Sequence, residues 1–285
     1  MDLKEASKEI KELLEKRRQE LELTFIEDEH VYFMKDTDGV VKNTFPSVSK
    51  VIKCFHEHFD SEGISLSMAK GDLYEQELLL KKWKDAADYS TNMGSRVHYE
   101  LEKELIKRYG NYKEVRQPIF ECDESQIIKS DSMIIAGNKF LDLMEERNAV
   151  LLDTEIVLGD PELGYTGQPD KVWLIMDKQN VNISLCVSDY KTNQPKNFIA
   201  QPYTKKMYPP FKSYDNTALG HYYVQLPLYV KLLLKMLKGT KYENLKLLGC
   251  IVVLLKDDAT FEEYRVPMDI INTVLTMDVK KYLNK

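Results

Sequence analysis

Gly167-Gln168-Pro169-Asp170, followed by the apolar run Lys171–Met176, and then Ile183–Tyr190 closing on Asp189-Tyr190-Lys191-Thr192, is the stretch that decides the fold. The polar link Asp177-Lys178-Gln179-Asn180 reads as a hairpin turn between two strands. With Gln179 and Asn180 as its central residues, paired positions carry numbers that add to 359, so an unbulged hairpin sets Asp170 directly opposite Asp189. Asp189 and Lys191 are two apart and share a strand face, while Tyr190 points the other way. Two facing carboxylates repel unless a proton or a cation lies between them. Hard oxygen donors select Mg²⁺ or Mn²⁺. A lysine beside such an ion can orient water or steady charge on a phosphate. A lone D-x-K is common by chance, and by itself it describes only a polar hairpin.

Two further groups stand in order around the hairpin. Upstream, Gly94-Ser95-Arg96-Val97-His98-Tyr99-Glu100-Leu101-Glu102 puts His98 and Glu102 on one helical face, with Gly94 permitting close approach of another backbone or of DNA. Downstream, His221-Tyr222-Tyr223-Val224-Gln225-Leu226-Pro227-Leu228-Tyr229 places His221, Gln225 and Tyr229 at helical spacing. Gln and Tyr can hydrogen-bond phosphates or brace a catalytic lysine.

The ordered set Gly94/His98/Glu102, Glu155, Gly167/Asp170, Asp189/Lys191/Thr192 and Gln225/Tyr229 resembles the RecB-like branch of the PD-(D/E)XK nucleases over residues 94–229. The resemblance extends to Phe45-Pro46-Ser47-Val48-Ser49, similar to the P-S-V-T segment of phage and mitochondrial genome-maintenance exonucleases, with Ser49 in place of Thr. His30-Val31-Tyr32 fits the His-x-Tyr hairpin that precedes that segment. The resemblance implies a restriction-endonuclease-like α/β core. It implies that His98, Asp170 and Asp189, with the Tyr190 carbonyl, ligate one or two Mg²⁺ or Mn²⁺ ions. Lys191 would be the catalytic lysine, and Glu102, Gln225 and Tyr229 would support the site or touch DNA. Glu155 would sit near the site or flank its strand. The implied activity is hydrolysis of DNA from its ends, single strands favoured, in replication, recombination or repair. An endonuclease of the same superfamily and a non-catalytic DNA-binding scaffold are the alternatives.

Residues 191–212 hold Lys191, Lys196, Lys205, Lys206 and Lys212 and no acidic residue, inside a chain of net charge −6. Phe198, Tyr203, Tyr208 and Phe211 are interleaved. Lysines hold phosphates and aromatic faces stack unpaired bases, so Lys196, Lys205, Lys206, Lys212, Tyr203 and Tyr208 are expected to line a DNA path. Arg96, on the helix of His98, is a further candidate contact.

The 285 residues, 43% hydrophobic and 30% charged, suffice for one large core. Cys54, Cys122, Cys186 and Cys250 lie far apart without a C-x-x-C pair, so no iron–sulfur cluster is expected. From the charged N-terminus no secretory signal is expected, and no uncharged apolar run reaches the roughly 18 residues of a membrane span; a soluble, cytoplasmic protein is expected. Residues 1–23 read as a helical arm for the body, a second copy, or a helicase or recombinase partner. Residues 24–149 read as a hairpin at 24–45, a helix from Pro46, helices over 64–109 interrupted near Tyr89-Ser90-Thr91-Asn92, and a helix over 123–148. Residues 150–285 read as the nuclease core, forming one catalytic unit with 24–149. Its strands lie near Val150–Leu152, Ile156–Leu158, Lys171–Met176, Ile183–Tyr190, Leu245–Leu255 and Phe261–Val266. A helix over 216–237 and a closing helix over Met268–Leu283 complete it.

Overall fold

The computed structural model describes residues 2–26, 29, 31–110, 118–176 and 182–283. In chain order these form α1 (Leu3–Glu20), β1 (Thr24–Ile26), β2 (Val31–Lys35), β3 (Val41–Lys42), α2 (Val48–Ile52), α3 (Ser61–Met68), α4 (Leu73–Tyr109) and α5 (Glu124–Glu146). There follow β4 (Ala149–Thr154), β5 (Leu158–Asp160), β6 (Tyr165–Gly167), β7 (Lys171–Met176), β8 (Ile183–Lys191), α6 (Pro195–Phe198), α7 (Ala218–Met236), β9 (Lys246–Leu255), β10 (Phe261–Arg265), α8 (Met268–Thr276) and α9 (Lys280–Leu283).

A five-stranded mixed sheet in the order β10-β9-β8-β7-β4 forms the centre. Its neighbours are antiparallel except β8 and β9, which run parallel. A parallel pair needs a long crossover, and α7 lies in it. β7, β8 and the second half of β9 are buried almost without a break, as strands covered on both faces must be. One face packs α1, α2, α7 and α8 around Leu174, Val187 and Val252. The other packs α4 and α5 around Trp173, Tyr190 and Val253. The result is a mixed α/β sandwich with helices on both sides of the sheet.

The β7–β8 ladder has the register read from the turn. Lys171 pairs with Ser188 and Met176 with Ile183, each pair adding to 359. The turn Asp177–Asn180 itself lies outside the described residues.

Of the readings open to the N-terminal arm, α1 takes the one in which it packs on the body, and two other expectations need correction. Leu3, Ala6, Ile10 and Leu14 are buried in the main core, and Ser7 Oγ donates to the Leu151 carbonyl at 3.3 Å. α4 runs for 37 residues without the interruption expected near Tyr89–Asn92. The polar residues there form bonds that leave the helix intact: Asn92 Nδ2 donates to the Glu121 carbonyl, Gln126 Nε2 donates to the Tyr89 carbonyl, and Ser90 Oγ bonds back to the Ala86 carbonyl. The helix ends instead at Gly110, whose φ of +67° suits a left-handed cap. Finally, the closing helix breaks between Thr276 and Lys280. Met277 is extended, and Asp278 Oδ1 accepts from the Lys280 amide to start α9. Among the described residues, no helix is long and apolar enough to cross a membrane.

Candidate active site

Asp170 immediately precedes β7 and Asp189 lies near the end of β8, so extending the ladder by one pair sets the two carboxyls opposite each other. Asp189 is 2% exposed. Asp170 Oδ2 and Asp189 Oδ1 are both buried without a hydrogen-bond partner. Burial and the facing Asp170 carboxylate push the Asp189 carboxyl well above the usual range. Burial also acts to raise Asp170, but the contact with Asp189 and the charges of Lys171, His98 and Lys191 outweigh it and hold Asp170 low.

Lys191 leaves the same face of β8. Its Nζ is 2.7 Å from Asp189 Oδ2 and 4.4 Å from the centroid of the Tyr222 ring on α7. Burial opposes its charge, but the Asp189 and Asp170 carboxylates prevail and hold the ammonium above the usual lysine range.

His98 arrives from α4, which can approach because Gly94 lies against β8's exit. A Cβ on Gly94 would sit 3.2 Å from Thr192 Oγ1. The imidazole places Nε2 3.1 Å from the Tyr190 carbonyl and Nδ1 3.4 Å from Asp170 Oδ2. Burial pulls its pKa down to about 4, so it is neutral near pH 7. A neutral ring has one N–H and cannot satisfy both oxygens. One ring nitrogen therefore turns a lone pair toward an oxygen.

Glu102 lies one turn further along α4, where Oε1 accepts from Thr154 Oγ1 at 3.4 Å. Gln225 and Tyr229 meet each other on α7, Nε2 donating to the phenol oxygen at 2.8 Å. Tyr229 is buried behind the hairpin, where a Cβ on Gly167 would stand 2.7 Å from its ring and from Val48 Cγ2. This pair braces the strand leading to Asp170; it does not line the cleft. Gly167→Ala is accordingly expected to cost about 1–3 kcal/mol, read as a fall in the urea midpoint at unchanged slope. A variant as stable as the parent would show that the ring has room to move.

Lys171 escaped the sequence reading. It is 3% exposed, its Nζ lies 3.5 Å from the centroid of Tyr190 and 3.8 Å from Asp170 Oδ2. Each carboxylate thus has its own lysine. The signal was present as a lysine opening a strand otherwise buried, next to the motif aspartate. Tyr222 was also missed as the platform under Lys191. Glu155 adopts a left-handed φ of +46°, and its amide donates to the Asp170 carbonyl at 3.2 Å, so it flanks the site through its backbone.

The site opens into a cleft of about 1770 Å³. Its walls include Lys11 and Arg18 of α1, Tyr89 and Tyr99 of α4, Lys129 of α5, Lys196 of α6 and Lys256 after β9. Of the basic and aromatic residues expected to bind DNA, Lys196 lines it. Lys205 pairs with Glu57 at 2.6 Å and Lys206 with Asp215 at 2.8 Å. Arg96 is held by Asp131 at 2.7 Å and by Ser130, joining α4 to α5. Tyr203 and Tyr208 are exposed elsewhere, as is Lys212, and Phe198 and Phe211 are core residues. His221 turns from Gln225 to stack on His56, ring centroids 3.9 Å apart. His30 lies outside the described residues.

No protein-family model matches this chain, and no curated protein matches it.

Among the described residues no three His, Cys, Asp or Glu side chains are grouped to hold a metal. What lies side by side is Asp170 opposite Asp189, with the neutral His98 imidazole 3.4 Å from Asp170 and 3.1 Å from the Tyr190 carbonyl. This group is rich in acceptors and short of protons, with two buried carboxylate oxygens left over. That deficit suits a hard divalent cation.

Proposed function

We propose that this chain is a metal-dependent deoxyribonuclease with a restriction-endonuclease-like core, of the RecB-like PD-(D/E)XK kind. The observation that carries the reading is the register that opposes Asp170 and Asp189, with Lys191 two residues on from Asp189 and neutral His98 beside Asp170. Asp170, Asp189, His98 and the Tyr190 carbonyl would hold Mg²⁺ or Mn²⁺. The ion would supply a Lewis acid for the scissile phosphate and lower the pKa of an attacking water. Lys191 stays protonated, so it serves as a fixed positive charge for the phosphate and not as the base. Tyr222 below and Asp189 beside keep that charge in place. Lys171 keeps Asp170 ionised from the opposite side. The substrate is DNA entering along the cleft, with a single-stranded end favoured and the reaction exonucleolytic.

Metal binding is tested without turnover. Mn²⁺ at a hundred times its Kd is expected to add about 2.7 kcal/mol, hence roughly 5–10 °C in Tm, in a thermal-shift measurement. Asp189→Ala should lose that shift. A parent protein whose Tm ignores Mg²⁺ and Mn²⁺ alike would count against the donor set.

The cleft also predicts which lysine holds phosphate. Lys196→Glu should weaken binding of a single strand and lower the slope of log K against log salt by about 0.7. Lys205→Glu, outside the cleft and already paired with Glu57, should leave the slope as it was. The opposite ranking would move the DNA path to the 200–212 segment.

A further inference from the structure

α4 is buried only from Met93 onward. The turns before it begin against α3 at Gln76 and reach α5 and the segment before it only at Tyr89 and Asn92. Gln76 Nε2 donates to the Glu62 carbonyl at 3.2 Å, and Trp83 meets Phe59 edge-on at 5.4 Å. In proteins most of a helix's stability comes from packing one of its faces. The side turned away from Gln76 and Trp83 carries Tyr74, 68% exposed, and Leu78, 45% exposed, followed by Lys81 and Asp85. Tyr74, Leu78, Lys81 and Asp85 follow the alternating four- and three-residue steps of a coiled-coil seam.

The charges beside that seam are ordered. Glu75 and Lys82 stand seven residues apart on one flank, Glu77 and Lys84 seven apart on the other. None of the four makes an ion pair within the chain among the described residues. Both flanks run from acid to base. In an antiparallel pair of identical helices each flank meets the same flank of the partner, reversed. Glu75 then meets the partner's Lys82, and Glu77 meets the partner's Lys84. Both sets of contacts require one register, centred between Leu79 and Leu80. A parallel pair would set Glu77 against the partner's Lys82, five residues on, but would leave Glu75 and Lys84 without an opposite charge on α4, whereas the antiparallel pair uses all four. The pattern is therefore self-complementary about a two-fold axis, as an isologous interface requires.

We infer that two copies of this chain associate through the exposed half of α4, antiparallel, with Glu75–Lys82 and Glu77–Lys84 pairs repeated across a two-fold axis. The seam is short and half polar, so the association depends on concentration and on salt. With 1.5 Å of rise per residue, His98 lies about 28 Å along the helix from the axis. The last seam residue, Asp85, also lines the cleft, so each cleft would begin where the seam ends. The inference does not depend on the nuclease reading.

Sedimentation velocity over a range of protein concentrations at low salt tests it. The parent chain is expected to pass from monomer to dimer, and the dimer to dissociate in high salt. Glu77→Lys and Lys84→Glu, each alone, set like charges together twice per dimer and should raise the dissociation constant by roughly tenfold or more. The chain carrying both Glu77→Lys and Lys84→Glu again opposes unlike charges and should dimerise like the parent. A parent that stays monomeric throughout, or a double exchange no better than the single ones, would overturn the interface. Circular dichroism of each variant separates lost association from a lost helix.

Discussion

Lys191→Ala is expected to lower DNA cleavage by about 10²–10³-fold, the loss typical of one fixed charge or donor aimed at the transition state. The fall should lie in kcat, since a strand held by the rest of the cleft still binds. Lys191 is buried beside Asp189 at 2.7 Å. Removing one partner of a buried pair commonly costs about 3–5 kcal/mol. Here the cost should be smaller, because burial and the facing Asp170 already raise the Asp189 carboxyl, so it can take up a proton once the lysine is gone. Lys191→Met, which keeps the packing over Tyr222, should be equally inactive and more stable than the alanine variant. Steady-state kinetics beside a urea titration separates these effects. Activity within a few-fold of the parent would remove Lys191 from the chemistry.

Trp173→Ala should be the most damaging single truncation of the core. Trp173 is fully buried in mid-strand on β7, its indole meeting the edge of Tyr109 at 5.7 Å. Its Nε1 donates to Ser188 Oγ at 2.8 Å, across the ladder and next to Asp189. Removing the indole opens a cavity between the sheet and the α4–α5 layer, at a cost of about 3–5 kcal/mol. That is a large share of the roughly 5–15 kcal/mol that holds a domain together. Trp173→Phe should cost less than the alanine variant, by filling most of the space while leaving Ser188 without its donor. Urea midpoints at constant slope measure both. A loss below 1 kcal/mol for the alanine variant would contradict the packing of this layer.

The hairpin was legible because a two-residue turn fixes both which residues pair and which face each presents. The opposition of Asp170 and Asp189 followed from the positions of Gln179 and Asn180 alone, and the β7–β8 pairs agree with it. His98 could not be placed by any local rule, since 92 residues separate it from Tyr190; its position came only through the resemblance. Lys171 stayed hidden because alternation points it away from Asp170's face, and a lysine opening a strand reads as surface. The Lys205–Lys206 segment shows the opposite limit. A run of positive charge does not show that Glu57, 148 residues distant in sequence from Lys205, has already neutralised part of it. At Tyr89–Asn92, Ser, Thr and Asn suggested a break from their competition for backbone bonds, but α5 and the segment before it supplied partners that left the helix continuous.

The most direct test of the central claim is digestion of a linear single strand labelled at one end, with Mg²⁺, with Mn²⁺ or with EDTA. The proposed reaction predicts metal-dependent loss of full-length strand, none in EDTA, and none with Asp189→Ala under any condition. Intact strand in every lane, from protein that binds the DNA, would contradict a nuclease and leave a protein that holds DNA without cutting it.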